Sequence, residues 1–249
     1  MSFEIKHRDG RTLFGDSEAR DVRAAIHAAL EQRVDLSGSE LAGADLKRLD
    51  LEDACLCDAN LAGAILDGAN LESADLSRAD LTGASLRGAN LEHAKLSSVH
   101  APGAVFDGAN LERADLRGAM LEAARFHRAN LEASVLENVR GEGAGFVRAN
   151  LERAVLRHAK LARADLTAAN IERCDLRGVD LAHAALVGAN LERCDLRRAN
   201  LAGARLSEAN LERCEVGEAI LDSAAFDGAN LSGLRGTPAA ATHAEGVYR

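Results

Sequence analysis

The chain of 249 residues carries five cysteines, the side chains with the greatest capacity for redox and metal chemistry. Cys174, Cys194 and Cys214 recur at twenty-residue intervals, whereas Cys55 and Cys57 flank a single leucine. An odd number of cysteines that follows an internal spacing is not typical of a secreted disulfide framework. Two thiols without a second pair nearby also make a poor zinc site. We therefore predict free thiols, a cytoplasmic location, no metal and no cofactor.

The eight histidines do not form a pattern typical of an active site. Their positions share no common spacing, so no serine, histidine and carboxylate are expected to converge. Glycines such as Gly63, Gly83 and Gly103 recur regularly and do not form a phosphate-binding loop between a strand and a helix. The sequence therefore predicts a protein without catalytic residues or enzymatic activity.

Acidic residues have the most regular spacing of all charged residues. A column of glutamates recurs every twenty residues: Glu52, Glu72, Glu92, Glu112, Glu132, Glu152, Glu172, Glu192 and Glu212. From Asn70 to Asn230, an asparagine recurs on the same spacing, two residues before Glu72 and before each later glutamate of this column. The formal net charge is −9, which argues against direct binding to nucleic acid or to an anionic membrane through a global basic field.

These spacings belong to a more general repeat of five residues. From residue 36 to residue 231, a large aliphatic or aromatic residue recurs every five positions, with Ala101 and Gly141 as exceptions. The residue two before each of these centres is nearly always small. A period of five fits neither a helix nor a strand, but it fits a solenoid of short extended segments and corners. The twenty-residue spacing then indicates four units per coil and about ten coils.

The decapeptide Ala-Asn-Leu-Glu-Arg-Ala-Asp-Leu-Arg-Gly at 109–118, nearly repeated at 189–198, resembles the pentapeptide repeat family and its A(D/N)LXX consensus. The resemblance covers about four fifths of the chain. It implies an all-β fold, a right-handed quadrilateral β-helix. Its gyrase-protecting members imply a protein partner, DNA gyrase or topoisomerase IV.

The two ends of the chain depart from the repeat. Residues 1–33 are predicted to form an N-terminal cap of a β-hairpin and an α-helix, with Asp16 or Ser17 as the helix N-cap. We expect this cap to cover the strand edges of the first coil. Residues 34–233 are predicted to form the β-helix and residues 234–249 a flexible tail. Because no element is predicted to cover the last coil, a monomer and an end-to-end homodimer both remain open.

We predict that a partner binds the acidic face of the rod, best toward the N-terminal half, where arginines are fewest. The candidate residues are Asp50, Glu52, Asp53, Glu72, Glu92, Glu112 and Glu132. Such a face is a partial mimic of DNA for a DNA-handling enzyme such as a type II topoisomerase. The alternative is a structural spacer or scaffold that assembles through its cap or its open C-terminal end. Duplication of a twenty-residue unit also accounts for the column without any partner.

The two small centres, Ala101 and Gly141, fall in one column two coils apart. A valine stands before each of them and a phenylalanine occupies the next centre, which favours compensation by packing over a ligand pocket. The glycines beside the two centres and Pro102 favour a local bulge of the wall. His100 and Arg140 are therefore secondary contact candidates.

Overall fold

The computed structural model describes residues 3–239, in which a small cap precedes a long stack of five-residue units. Strand β1 (Phe3–Lys6) pairs antiparallel with β2 (Thr12–Asp16), and helix α1 spans Val22–Glu31. In the turn between the strands, Gly10 adopts a φ of 91° and its N–H donates to the carbonyl of His7 at 2.8 Å. Glycine suits this left-handed conformation because it has no Cβ.

Helix α1 begins later than predicted, and the assignment of Asp16 or Ser17 as its N-cap is wrong. Asp16 is still part of β2, and its carboxylate accepts a hydrogen bond from the N–H of Glu18 at 2.7 Å. Asp21 is the N-cap: its backbone is extended, and its carboxylate accepts from the N–H of Ala24 at 2.8 Å. Aspartate stabilises a local turn in the first case and a helix N-terminus in the second.

The cap joins the rod through backbone hydrogen bonds. His7 forms an antiparallel bridge with Ser39, and the N–H of Glu40 donates to the carbonyl of Lys6 at 2.7 Å. Ile5 of β1 and Ile26 of α1 are buried in the same apolar core as the first coil. The hairpin therefore pairs with backbone groups of the first coil that would otherwise offer an open edge.

Each five-residue unit consists of a bridge position and a tight turn. In the unit centred on Leu61, the N–H of Ala64 donates to the carbonyl of Leu61 at 3.0 Å, and Gly63 between them has a φ of 65°. A positive φ at the third residue is the signature of a type II turn. Both Leu61 and Ala64 are fully buried. The repeat thus places its large and its small apolar residue inside and leaves three positions on the surface.

Successive coils are joined by a continuous parallel ladder. The residue before each centre pairs with the residue twenty positions further on, from Glu40↔Asn60 to Glu215↔Arg235. Main-chain bonds follow the same period, as in the N–H of Leu61 donating to the carbonyl of Asp80 at 2.7 Å. This ladder makes the described repeat a β-helix with a twenty-residue coil, because like positions lie above one another.

Three phenylalanines form a continuous stack inside the rod. The ring centroids of Phe106 and Phe126 are 4.7 Å apart, and those of Phe126 and Phe146 are 4.9 Å apart, with rings nearly parallel. All three are fully buried. Residues that are twenty positions apart in the sequence, and therefore one coil apart in the rod, share one column, as the spacing predicts.

At its C-terminal end, the ladder continues into the segment predicted to be a tail. Arg235 bridges to Glu215, and the N–H of Glu218 donates to the carbonyl of Thr237 at 2.9 Å. Residues 240–249 of the predicted flexible tail lie outside the described residues. Within residues 3–239 no helix is long and apolar enough to span a bilayer.

Candidate protein-binding face

The asparagines that precede the centres form a hydrogen-bonded ladder along one face. The side-chain N–H of Asn90 donates to the amide oxygen of Asn70 at 3.2 Å, and equivalent bonds of 3.0 to 3.2 Å continue up the rod. The ladder comprises Asn70, Asn90, Asn110, Asn130, Asn150, Asn170, Asn190, Asn210 and Asn230. Each amide therefore has a fixed orientation set by its neighbours.

The asparagine ladder also holds the glutamates of the acidic column. The Nδ2 of Asn90 lies 3.2 Å from Oε2 of Glu72, and the N–H of Glu72 donates to Oδ1 of Asn70 at 3.3 Å. The same amide-to-carboxylate contact, at 3.3 to 3.5 Å, holds the glutamates at Glu52, Glu92, Glu112 and Glu132. Hydrogen bonds from the asparagine ladder thus hold these carboxylates against the wall.

Arginines compensate the column from its middle to its C-terminal end. Arg113 lies 3.2 Å from the carboxylate of Glu112, and Arg153 lies 3.4 Å from Glu132 of the preceding coil. The later glutamates have equivalent partners at 3.2 to 3.5 Å. These glutamates are Glu152, Glu172, Glu192 and Glu212. Every glutamate of this half is therefore ion-paired.

The N-terminal half of the column lacks such compensation. Among residues 3–239, no basic side chain forms an ion pair with Asp50, Glu52, Asp53 or Glu72. Glu92 faces the imidazole of His93 at 3.7 Å. We define these five acidic residues, Asp50, Glu52, Asp53, Glu72 and Glu92, as the acidic patch. The structure thus places all seven predicted residues on one face but leaves Glu112 and Glu132 paired with arginine.

His100 and Arg140 lie on another face and do not join the acidic patch. They bridge to Met120 from opposite sides, so one coil separates them. Arg140 lies 3.4 Å from the carboxylate of Glu122, whereas Nδ1 of His100 is buried without a hydrogen-bond partner among the described residues. The two secondary candidates therefore form no common site with each other.

The wall beside Ala101 and Gly141 does not bulge, contrary to the expectation from Pro102 and the glycines. The N–H of Ala101 donates to Met120 at 2.8 Å, and Gly141 makes the equivalent bond at 2.8 Å. Pro102 occupies the second turn residue, where proline is favoured and no ladder N–H is needed. A Cβ on Gly141 would lie 3.0 Å from Cδ2 of Leu161, so that leucine already fills the space.

A second charged network, not recognised from the sequence, lies on a different face. Arg157 and Arg177 each contact the carboxylate of Asp175 at 2.6 Å, and Arg197 contacts Asp195 at 2.5 Å. Hydrogen bonds from Arg177, and then from Arg157, hold the pKa of Asp175 well below its usual range. In the sequence, this network is indicated by Arg157, Arg177 and Arg197, which recur every twenty residues and each directly follow a repeat centre. Three arginines share two aspartates, so the network keeps one formal positive charge, and its ion pairs hold adjacent coils together.

Comparison with family models agrees with this architecture. The sequence matches the family model "Pentapeptide repeats" in eight copies, over residues 32–63, 54–92, 64–100, 103–138, 144–181 and 174–213. Among solved structures it is similar to HetL of Nostoc sp. strain PCC 7120, a pentapeptide repeat protein involved in heterocyst differentiation regulation. That match has 29% identity and a TM-score of 0.44, and it covers 87% of this chain and 95% of HetL.

Two further solved structures are similar at lower identity. A trypsin-treated form of QnrB1, a plasmid-mediated fluoroquinolone resistance protein, shares 20% identity over 72% of this chain and 89% of its own, with a TM-score of 0.45. Rfr23 of the cyanobacterium Cyanothece 51142 shares 23% identity over 49% of this chain and 91% of its own, with a TM-score of 0.29. A search of curated proteins finds no match.

Proposed function

This chain belongs to the pentapeptide repeat family, and from that premise we propose that it is a non-enzymatic rod that binds another protein through its acidic patch. The observation that carries the proposal is the set of carboxylates at the N-terminal half of the column that have no arginine or lysine partner within residues 3–239, in contrast to Glu112 and Glu132. A partner with a basic, nucleic-acid-binding groove has the complementary charge.

The rod offers its carboxylates in a fixed geometry. The Asn90 amide holds Glu72, and the Asn70 amide holds both Asp50 and Glu52. A surface that is already ordered loses little conformational entropy on binding. Coils repeat about every 4.8 Å, whereas phosphates repeat about every 3.4 Å along one DNA strand. The patch is therefore a partial mimic of DNA and fits a short basic segment of the partner.

DNA gyrase or topoisomerase IV is the first candidate partner, because the family includes proteins that protect gyrase. Enzymes of this class hold duplex DNA against a basic surface, and the acidic patch would compete for that surface. The proposal places the protein in the cytoplasm, without direct binding to nucleic acid. Competition through exposed charges weakens as the salt concentration rises.

A supercoiling assay with purified gyrase over a salt series tests this proposal. We expect the native chain to inhibit the enzyme, or to protect it from a quinolone, at micromolar concentration. The double variant Glu52→Gln/Glu72→Gln should weaken the effect about tenfold, equivalent to about 1.4 kcal/mol. Glutamine keeps an oxygen that can accept the asparagine hydrogen bond, so the variant changes charge with little change in structure.

Glu172→Gln/Glu192→Gln is the matched control, because it removes the same charge from the same column where arginines already compensate it. We expect it to retain most of the activity. Equal losses in the two double variants would reject the acidic patch as the binding surface. No inhibition and no protection by the native chain at micromolar concentration would reject gyrase as the partner.

A structural scaffold is the second candidate function, favoured by the apolar residues at the last described coil. Ile220 is 40% exposed, and Leu231 and Leu234 are half-buried. End-to-end stacking of two rods would bury these side chains. Sedimentation of the full-length chain over a concentration series tests this function, and a monomer at every concentration would reject it.

A further inference from the structure

Two cysteines, a serine and an aspartate cluster on the first coils of the rod. The Oγ of Ser37 lies 3.0 Å from Sγ of Cys55 and 3.0 Å from Sγ of Cys57, and the two sulfur atoms are 3.8 Å apart. The hydroxyl of Ser37 also donates to the carboxylate of Asp35. Because its proton points to Asp35, the Ser37 oxygen is free to accept from both thiols. This hydrogen bonding keeps the two thiols on the same side of the turn.

The other three cysteines differ from this pair in burial. Cys174, Cys194 and Cys214 are buried, and each thiol lies 2.8 to 2.9 Å from a carbonyl oxygen of the preceding coil. Burial raises the pKa of the Cys194 thiol well above its usual range. Cys55 and Cys57 are only half-buried. Of the five thiols, these two are therefore the ones that a small reagent in solution can reach.

We propose that Cys55 and Cys57 form a dithiol modification site that a peroxide converts into an intramolecular disulfide. The thiolate of Cys57 attacks one peroxide oxygen, the O–O bond breaks, and hydroxide leaves, which yields a sulfenic acid. The thiolate of Cys55 then attacks that sulfur, the S–S bond forms, and a second hydroxide leaves. The two thiol protons convert both hydroxides to water, and the two electrons lost by the sulfur atoms reduce the peroxide.

The surroundings of the pair suit this order of attack. Burial raises the pKa of the Cys55 thiol, so a smaller fraction of Cys55 is present as the attacking thiolate, which suits the second step. The two sulfur atoms lie 3.8 Å apart and must approach to about 2.05 Å for the disulfide to form. Cys55 also lines a surface groove together with Glu52 and Asp53. Oxidation therefore changes the surface at the border of the acidic patch.

Intact-mass measurement of the full-length protein tests the proposal. Reduced protein, alkylated with N-ethylmaleimide under native conditions, should take up two adducts. After hydrogen peroxide it should take up none and be lighter by two hydrogens, and a phosphine reductant should restore both adducts. Both cysteines lie on one tryptic peptide, residues 49–78, which should carry the whole change.

Single-cysteine variants separate a disulfide from other oxidation. Cys55→Ser and Cys57→Ser should each lose the two-hydrogen decrease and gain oxygen on the remaining thiol. Cys174→Ala should keep the decrease, because its thiol is buried elsewhere. The proposal fails if the peroxide-treated native chain still takes up two adducts, gains oxygen without losing two hydrogens, or forms a disulfide-linked dimer.

Discussion

The carboxylate of Glu132 lies 3.4 Å from the guanidinium of Arg153, a residue of the following coil. The chain neighbour of Glu132 is Ala133, which carries no charge. Arg153 also lies 3.4 Å from Glu152, so one arginine compensates two carboxylates. Pairing across coils therefore confines the uncompensated acidic charge to the N-terminal half of the column.

Replacing Arg153 should extend the acidic patch. In Arg153→Ala we expect tighter retention on an anion-exchange column, because Glu132 loses its cation and Glu152 retains only Arg173. The thermal midpoint should change little, since exposed ion pairs contribute about 0–1 kcal/mol.

Arg128→Ala is the matched control for retention. Arg128 lies at an exposed position on another face and has no described ion-pair partner within residues 3–239. Both variants remove one positive charge, so they differ only in where the charge is lost. Equal retention of the two variants would contradict a locally extended patch.

Gly141 should not tolerate a larger side chain. In Gly141→Ala, the new Cβ would approach Cδ2 of Leu161 to 3.0 Å, so the core becomes overpacked. We expect a loss of about 1–3 kcal/mol in the free energy of unfolding. Adding Leu161→Val to Gly141→Ala should recover part of this loss, because it withdraws the contacted methyl group. Urea denaturation of the two single variants and the double variant measures this coupling, and strict additivity would contradict it.

The sequence predicts those features that every coil repeats. The large residue at Leu61 and the small residue at Ala64 identify the core, because the same burial recurs at each unit. The twenty-residue spacing places Phe106 above Phe126 and Asn70 above Asn90, as the structure confirms. In a linear repeat, the separation of two residues in the sequence determines their separation along the rod axis, because each coil contacts only its neighbours. The contacts between columns therefore follow from the spacing alone.

Features that depend on the conformation of a long side chain, or on where one secondary-structure element ends and the next begins, are not predictable in this way. The pair of Arg153 with Glu132 spans two coils, and its geometry depends on how a flexible arginine extends. The N-cap at Asp21 depends on β2 continuing to Asp16, which the sequence alone does not specify. The contact of Ser37 with both Cys55 and Cys57 requires side-chain rotamers as well as column positions.

The ion pairs of Asp175 should make part of the stability dependent on pH. Hydrogen bonds from Arg177 and Arg157 lower the pKa of Asp175 in the folded state, whereas its unfolded value is about 3.9. The stabilisation is therefore complete above the unfolded value and is lost as the pH falls through the folded value. We expect Asp175→Asn to lower the free energy of unfolding by about 1 kcal/mol near neutral pH. The difference in stability between this variant and the native chain should become smaller in strong acid.

Thermal midpoints of the native chain and Asp175→Asn, measured from neutral pH to about pH 2, check this expectation. Arg177→Gln serves as a second variant, because it removes the first cause of the lowered pKa and leaves the carboxylate in place. The difference in thermal midpoint between Arg177→Gln and the native chain should become smaller over the same acidic range. A difference that stays constant with pH in both variants would contradict a contribution from the charged pair.

The left-handed corners should respond to substitution in opposite directions. Gly83 has a φ of 64°, and a Cβ added there would meet no atom within 4 Å, so Gly83→Ala costs only backbone strain, about 1 kcal/mol. Ala123 holds the same corner of the same column two coils later, with a φ of 55°. Ala123→Gly relieves its strain and should stabilise the rod by up to about 1 kcal/mol after the entropy of glycine is subtracted.

A substitution at a third corner distinguishes the cost of backbone strain from the cost of a steric clash. In Gly178→Ala, the new Cβ would lie 2.6 Å from Nδ1 of His158, so the variant should cost more than Gly83→Ala. Thermal midpoints followed by one probe rank the three variants without requiring two-state unfolding. The expected order of stability places Ala123→Gly highest and Gly178→Ala lowest. If Ala123→Gly destabilises the rod as much as Gly83→Ala does, backbone strain at the corners does not control the stability of the coil.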